Sequence, residues 1–535
     1  MFKPFFQKFL LVFLTLALIA CANRGTPTGG EKDVTPPVIV KTDPENFTTN
    51  FSGKEIRIYF DEYVKLKNLQ RQLIISPPME YQPEITPLGL ASKYIRIKII
   101  DTLQPNTTYA FNFGQSIVDN NEENPYPYYR YVFSTGSYID SLSVSGNVLD
   151  AKTRTPDKFV SVMLYEMDST FTDSTIYKKK PKYITNTLDS LTTFKIDNIK
   201  AGQYKLIALK EENSNFTFQQ KTDKIGFYEG VVNVPTDSLF TLKLFKEVTD
   251  FKAFRPKQEA GQKIAFGFEG DYKSANIEIQ KESAPPEFKK RITKDTKADT
   301  LYYWYSPKLE IDSTYFVVTN KTYSDTLKHR FRDMPKDSLL VNSLQSGVIE
   351  FNQDFEINGT IPFDGIDEKQ INIVDKDSVA IPFSTTFNEW NNTYAFKFNK
   401  TESNTYKVRA LPNAFKDLFG NTNDTLNYSL RTKSYSDYSN IRVTINNAIY
   451  PLIVQLTNDK GDVKYEQFAK AQAPVDFRYI NPGTYYLRVV FDTNDNQVWD
   501  TGNYLKKLHP ERISYFPEAI DARANWDPVI EFTLE

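Results

Sequence analysis

The sequence predicts an all-β chain built of tandem β-sandwich modules. Helical periodicity is nearly absent after residue 21, whereas apolar–polar alternation recurs in short runs bounded by turn residues. The composition favours strands, with 33 Tyr and 40 Phe against 21 Gly and 5 Met. The chain of 535 residues is long enough for several domains, and two stretches recur within it, which marks repeated modules.

The first element lies outside the sandwiches. The chain opens MFKPFFQKFLLVFLTLALIACANRG, with Lys3 and Lys8 ahead of an apolar run over residues 9–20 broken only by Thr15. That run is shorter than the about 20 residues of a membrane-spanning helix and suits the apolar core of a secretory signal peptide. Its end, Leu18-Ile19-Ala20-Cys21, resembles the lipobox of bacterial lipoproteins. The resemblance implies that residues 1–20 are removed and that Cys21 becomes the acylated, palmitate-bearing first residue of the mature chain. The other reading is an uncleaved apolar segment with a buried thiol. Cys21 is the only cysteine, so no disulfide framework is available. Several acyl chains, at about 0.8 kcal/mol per buried CH₂, would anchor the chain stably. Residues 21–36, rich in Gly, Pro and Thr, read as a flexible tether with a reach of about 50 Å.

Residues 37–138 form the first expected module. KEIRIYF alternates Ile56, Ile58 and Phe60, SKYIRIKII alternates Ile95, Ile97 and Ile99, and NTTYAFNFG places Tyr109, Phe111 and Phe113 on one face. Such strands are half-buried and antiparallel, with one face on a core. The segment over residues 35–64 carries a Pro-Pro opening, a Pro-containing turn and a strand ending Phe60-Asp61-Glu62-Tyr63-Val64. It resembles the bacterial Ig-like domain of some surface-layer proteins. Lipobox, tether and this domain, in that order, resemble the Ig-like-domain lipoproteins of Bacteroidota. The resemblance implies a chain lipid-anchored in the outer membrane. Surface-exported lipoproteins of that phylum often carry acids close to the Cys, whereas the nearest here are Glu31 and Asp33. Both a periplasmic and a surface-exposed location stay open.

Residues 139–246 form the second module and 437–535 the fifth. NIKAGQYKLIALKEENSN matches YINPGTYYLRVVFDTNDN at a constant offset of 281. Gly202, Tyr204 and Leu206 align with Gly483, Tyr485 and Leu487, and Glu211, Asn213 and Asn215 with Asp492, Asn494 and Asn496. With the preceding SVSGNVLDAKTRTPDKFVSVMLYEMD, this pattern resembles the carboxypeptidase-regulatory-like, or prealbumin-like, β-sandwich, which implies a structural or adhesive unit. Residues 341–436, the fourth module, close like the first. Asp119, Tyr131 and Thr135 correspond to Asp417, Tyr428 and Thr432, allowing one gap, which predicts a second Ig-like sandwich. Residues 247–340 contain clear strands in YYWYSPKLEIDSTYFVVTN but match neither repeat.

The composition excludes several chemistries. Net charge is −2, with 65 basic and 67 acidic residues interspersed, so nothing points to nucleic acid. Only His329 and His509 could serve as imidazole bases, in LKHRF and KKLHPER, and both read as solvated. Two histidines and one cysteine do not make a zinc site, and there is no phosphate-cradling Gly-rich loop. Asp61 and Glu62 are adjacent on a strand and point to opposite faces, so they do not converge as a glycosidase pair. In PYPYYRYVF, Tyr126, Tyr128 and Tyr129 form an aromatic cluster. It reads as edge-strand packing or as a glycan or protein contact.

The stretch FDTNDNQVWDTGNY poses the one metal question. Asp492, Asn494, Asn496 and Asp500 match positions 1, 3, 5 and 9 of a calcium loop. Gln497 stands where that loop needs Gly and Asn503 where it needs a bidentate Glu, and the flank alternates as a strand. The stretch reads as a hairpin turn, with a weak calcium site as the alternative; no other cofactor is expected.

The function expected from the sequence is a non-enzymatic scaffold of the cell envelope, held in the outer membrane through Cys21 and docking onto another envelope protein. The alternative is a lipoprotein that holds a glycan or other ligand for uptake or adhesion.

Overall fold

The computed structural model describes residues 33–187, 192–280 and 283–534. Strand accounts for 49% of the structure and helix for 3%. The helical turns among the described residues are short, such as Leu69–Gln72 and Asp173–Tyr177. The chain forms two compact units. Of the described residues, one unit holds those from 33 to 142 with Asp197–Lys200, and the other those from 143 to 196 and from 201 to 534.

The smaller unit is a sandwich of two sheets. Ile39–Asp43, Glu55–Leu66, Ser92–Lys98 and Glu84–Thr86 lie side by side, with Ile117–Asp119 also pairing to the long second strand. Facing them are Ile74–Ser76, Thr108–Asn112 and Arg130–Ser134. The inward residues are those the alternation selects: Ile56, Ile58, Phe60, Ile95, Ile97, Ile99, Tyr109, Phe111 and Phe113 all pack in one core.

The larger unit contains four pairs of sheets and, in the fourth span, a two-stranded sheet of Phe363–Ile366 with Phe415–Asp417; each sheet is drawn from one of the four remaining spans of sequence. The second and fifth spans share one topology. In the second, Thr193–Ile199, Leu142–Asp150 and Leu239–Leu244 form one sheet, and Tyr183–Asn186, Ser161–Glu166, Gly202–Lys210 and Lys224–Phe227 the other. In the fifth, the counterparts are Val475–Ile480, Ser439–Asn446 and Val529–Thr533, then Val463–Ala469, Leu452–Thr457, Gly483–Phe491 and Ile513–Ala522. In both, the first and last strands of the module pair in parallel. The repeat extends to backbone conformation: Asn198 and Tyr479, 281 residues apart, both adopt a left-handed φ, of 60° and 55°.

The other repeat is visible in hydrogen bonds. Thr135 accepts from the Thr107 amide at 2.9 Å and donates to the Gln104 carbonyl at 2.7 Å. Thr432 does the same with Asn404, at 3.1 Å, and Thr401, at 2.6 Å. The hydroxyls of Tyr109 and Tyr406 accept from the Gln104 and Thr401 amides. Asp119 gathers the backbone amides of residues 121–124, and Asp417 those of Phe419 and Asn421. The same closing corner is therefore built twice from the residues that recur in sequence.

Candidate functional site

The strand Gly483–Phe491 leads into the loop the sequence singles out. Its Tyr485, Leu487, Val489 and Phe491 point into the module core. The Asp492 carboxylate, 2% exposed, then accepts from the amides of Asn496 at 3.0 Å and Gln497 at 2.9 Å. The side-chain amides of Asn494 and Asn496 both donate to one oxygen of Asp500, at 2.6 and 2.8 Å. The structure thus brings Asp492, Asn494, Asn496 and Asp500 together and pairs their polar groups with one another, as Asx turns do. Among the described residues, no three of His, Cys, Asp and Glu are grouped to hold a metal ion.

The sister loop repeats this pattern. Glu211 accepts from the Phe216 amide at 2.7 Å, the Asn213 amide donates to Gln219 at 3.2 Å, and Asn215 accepts from the Thr217 amide at 3.0 Å. Gln219 takes the hydrogen bond that Asp500 takes in the fifth module. Both loops turn through left-handed residues at equivalent places, Ser214 and Asp495 at φ 50° and 55°, Phe216 and Gln497 at 60° and 63°. The missing glycine at Gln497 does not prevent the sharp turn, because the two hydrogen bonds to Asp492 and Asn496 on either side hold the backbone in the left-handed region. Asn503 is oriented away from the loop, its side chain accepting from the Lys506 amide at 2.9 Å.

The same stretch docks the two sister modules on each other. Tyr504 is fully buried, its ring 5.3 Å edge-on to Phe227 of the second module and its amide bonded to Glu247. A Cβ on Gly502 would meet the Phe245 ring at 2.6 Å, so this close approach requires glycine. Arg488 is 2% exposed and donates to Gln455 at 2.6 Å within its own module and to the Lys152 carbonyl at 3.1 Å in the sister. The Tyr515 hydroxyl donates to that same carbonyl, and Lys507 pairs with Asp173. The interfaces of the larger unit close into a circuit. Glu350 joins the fourth module to Tyr438 and Asn481 of the fifth. Asp364 joins the fourth to Lys289 and Arg291 of the third, where Trp304, Ile361 and Leu418 form a small core of their own. Lys221 and Glu269 join the third to the second.

A cleft of about 760 Å³ opens where the sister modules meet. Phe227 and His509 stack on its floor, ring centroids 4.4 Å apart and planes 23° from parallel. Tyr228 and Tyr515 add aromatic wall, and Arg154, Lys243, Arg512 and Glu229 add charge. Burial lowers the His509 pKa, with Lys205 and Lys243 acting in the same direction and Glu229 against them. Sequence reasoning missed this cleft because its walls come from segments more than 250 residues apart.

The other candidates are dispersed. His329 is a correction: it is 4% exposed, not solvated, and stands edge-on to Phe331 at 5.0 Å, with its Nε2 lacking a hydrogen-bond partner. His329 alternates with Leu327 on the strand Tyr323–Arg330, and the period-2 pattern would have placed it inward. His509 is exposed but stacked rather than free in solvent. Asp61 is exposed and accepts from the Val38 amide at 2.9 Å, whereas Glu62 is half-buried with its pKa raised by burial and by Asp119. Tyr126 and Tyr129 meet edge-to-face at 5.8 Å and pack on the core of the smaller unit, and Tyr128 alone is well exposed, at 46%. Cys21 lies outside the described residues.

Comparison with known proteins identifies one part of the chain. Residues 33–135 match the bacterial Ig-like domain family. No curated protein matches. Among solved structures, domains 1–6 of the surface layer protein SbsC align at 10% identity over 91% of this chain and 67% of that one, with a TM-score of 0.16. The Bacillus anthracis TIE protein aligns at 10% identity over 95% and 76%, TM-score 0.15, and the BSP domain of a biofilm associated protein at 9% over 95% and 99%, TM-score 0.16. Scores this low carry no argument about function. Within an all-β chain of sandwiches, residues 33–135 are therefore the part that is similar to the bacterial Ig-like domain family.

Proposed function

We propose that the protein is a non-catalytic scaffold of the cell envelope, anchored in the outer membrane through acylated Cys21 and docking onto another envelope protein. The carrying observation is the closed circuit of interfaces in the larger unit. Arg488 is buried at the boundary of the second and fifth modules and bonded from both sides, and the Glu350, Asp364 and Lys221 contacts link these two to the third and fourth. Rigidly presented modules suit a frame that positions partners, since binding surfaces on fixed elements lose less ordering entropy on association. The Leu18–Ile19–Ala20–Cys21 sequence supports the anchor, as does the Gly/Pro-rich segment that follows.

Acyl labelling and membrane fractionation of wild type and Cys21→Ser test the anchor. Label and membrane association should both vanish in the variant; equal label in the two would refute it, because no second cysteine exists. Cross-linking in intact envelopes followed by detergent extraction tests the scaffold role, and recovery of the chain uncross-linked to any envelope protein counts against it. The cleft between the sister modules supports a second reading, in which the same frame holds a ligand.

A further inference from the structure

We infer that the cleft between the sister modules is a binding site for an acidic saccharide. This rests on the ligand-holding reading above. The argument begins with charge. Asp150 is spent inside the wall: it accepts from Lys152 and Thr153 amides at 2.8 and 2.7 Å and pairs with Lys224 at 2.6 Å. Glu511 accepts from Thr493 and the Asp500 amide, which fix its position and leave its charge in place. Arg154, Lys243 and Arg512 form no ion pair among the described residues, and Glu229 and Glu511 are the lining carboxylates that form none there either. Three cations outside any ion pair against two such carboxylates leave a cationic excess on the cleft walls, which favours an anion.

The positions of the cations add direction. Arg154 is held by the carbonyls of Phe516, at 3.4 Å, and Pro517, at 2.9 Å, so one module supplies the guanidinium and the other aims it. The Arg512 guanidinium lies 3.9 Å over the Phe491 ring. Lys243 stands on the strand Leu239–Leu244 across the cleft. Charges spread along opposite walls suit a ligand with more than one anionic group.

Shape and surface complete the class. The floor is the Phe227–His509 stack, and Tyr228 and Tyr515 stand beside it. Aromatic faces and hydroxyls among hydrogen-bonding cations match the apolar face and polar rim of a sugar ring, and a cleft of about 760 Å³ has room for a saccharide of about two or three residues. Phe227 is a product of the docking: it is buried because Tyr504 and His509 of the other module cover it. The site therefore exists only in the docked pair.

The test is calorimetric titration of the full mature chain in detergent with trigalacturonic acid, its carboxyl-reduced neutral counterpart, and inorganic phosphate. The acidic trisaccharide should bind one to one, weaken with added salt, and bind at least about tenfold more tightly than the neutral sugar. Lys243→Ala and Arg512→Gln should each weaken binding about tenfold. Glu229→Gln should tighten it, a gain that misfolding cannot produce. Equal binding of the neutral sugar would overturn the acidic class and leave the ligand-holding reading intact. Binding of neither sugar would overturn both. Phosphate binding as tightly as the trisaccharide, or Glu229→Gln leaving affinity unchanged, would overturn the assignment of a saccharide recognised through its charge.

Discussion

Replacing Glu211 with Gln should stabilise the second module above neutral pH and change it little at pH 5. One oxygen of Glu211 accepts from the Phe216 amide at 2.7 Å; the other is buried without a hydrogen-bond partner. Burial is the main cause that pushes its pKa up to about 7, against the opposing effects of the Phe216 amide and the nearby Ser161 hydroxyl. The folded state thus holds the proton more tightly than the unfolded chain, whose carboxyl titrates near 4.5. The stabilisation is fully present below pH 4.5 and is lost as pH rises through 7. The shift sets the full loss at about 3 kcal/mol by pH 8 or above. Glutamine keeps the acceptor for Phe216 and removes the charge. Because a chain of several sandwiches does not unfold in two states, the readout is hydrogen exchange of the amides in Gly202–Lys210, corrected for intrinsic rate. Wild type should lose protection between pH 5 and pH 8 by up to about 100-fold, the exchange equivalent of that free energy, and Glu211→Gln should not. The same pH dependence in both proteins would refute the argument.

Three further outcomes follow from the geometry. On the hairpin-turn reading, the melting profile should not move at several millimolar calcium; a calcium-dependent rise abolished by Asp492→Ala and Asp500→Ala would establish a metal site instead. Gln497→Gly should stabilise the fifth module by up to about 1 kcal/mol, read as slower hydrogen exchange of the Gly483–Phe491 amides, since glycine adopts φ 63° without the penalty a side chain incurs, whereas Gln497→Val should destabilise it. His329→Leu should flatten the loss of stability between pH 7 and pH 5. Burial, with Arg332 adding to it and a bond to Pro256 opposing, depresses the folded pKa of His329 below 6.5. The unfolded chain therefore gains the proton first, and stability falls as pH drops below 6.5; an unchanged profile in the variant would show that other groups carry the acid sensitivity.

Strand faces were legible where burial follows from the chain's own alternation. Ile56, Ile58 and Phe60, or Tyr485, Leu487 and Val489, point inward because a period of two fixes which side chains share a face. The two repeats were legible because equivalent turns need equivalent side chains: Asp119 with Asp417, Glu211 with Asp492. His329 was misread because the charges around it outweighed its register with Leu327. On Gly483–Phe491 the alternation assigns Arg488 and Val490 to solvent, yet both are buried, as are Lys205 and Ile207 of the sister strand. The sandwiches, their repeats and the shape of each turn can be read from the residue order, since these depend on residues a few positions apart or on neighbouring strands. Which outer faces are covered, that Phe227 and His509 meet, and that a cleft lies between modules nearly 300 residues apart follow from the packing of the folded modules. Those contacts depend on how two finished surfaces fit, and no local pattern in either segment encodes the other.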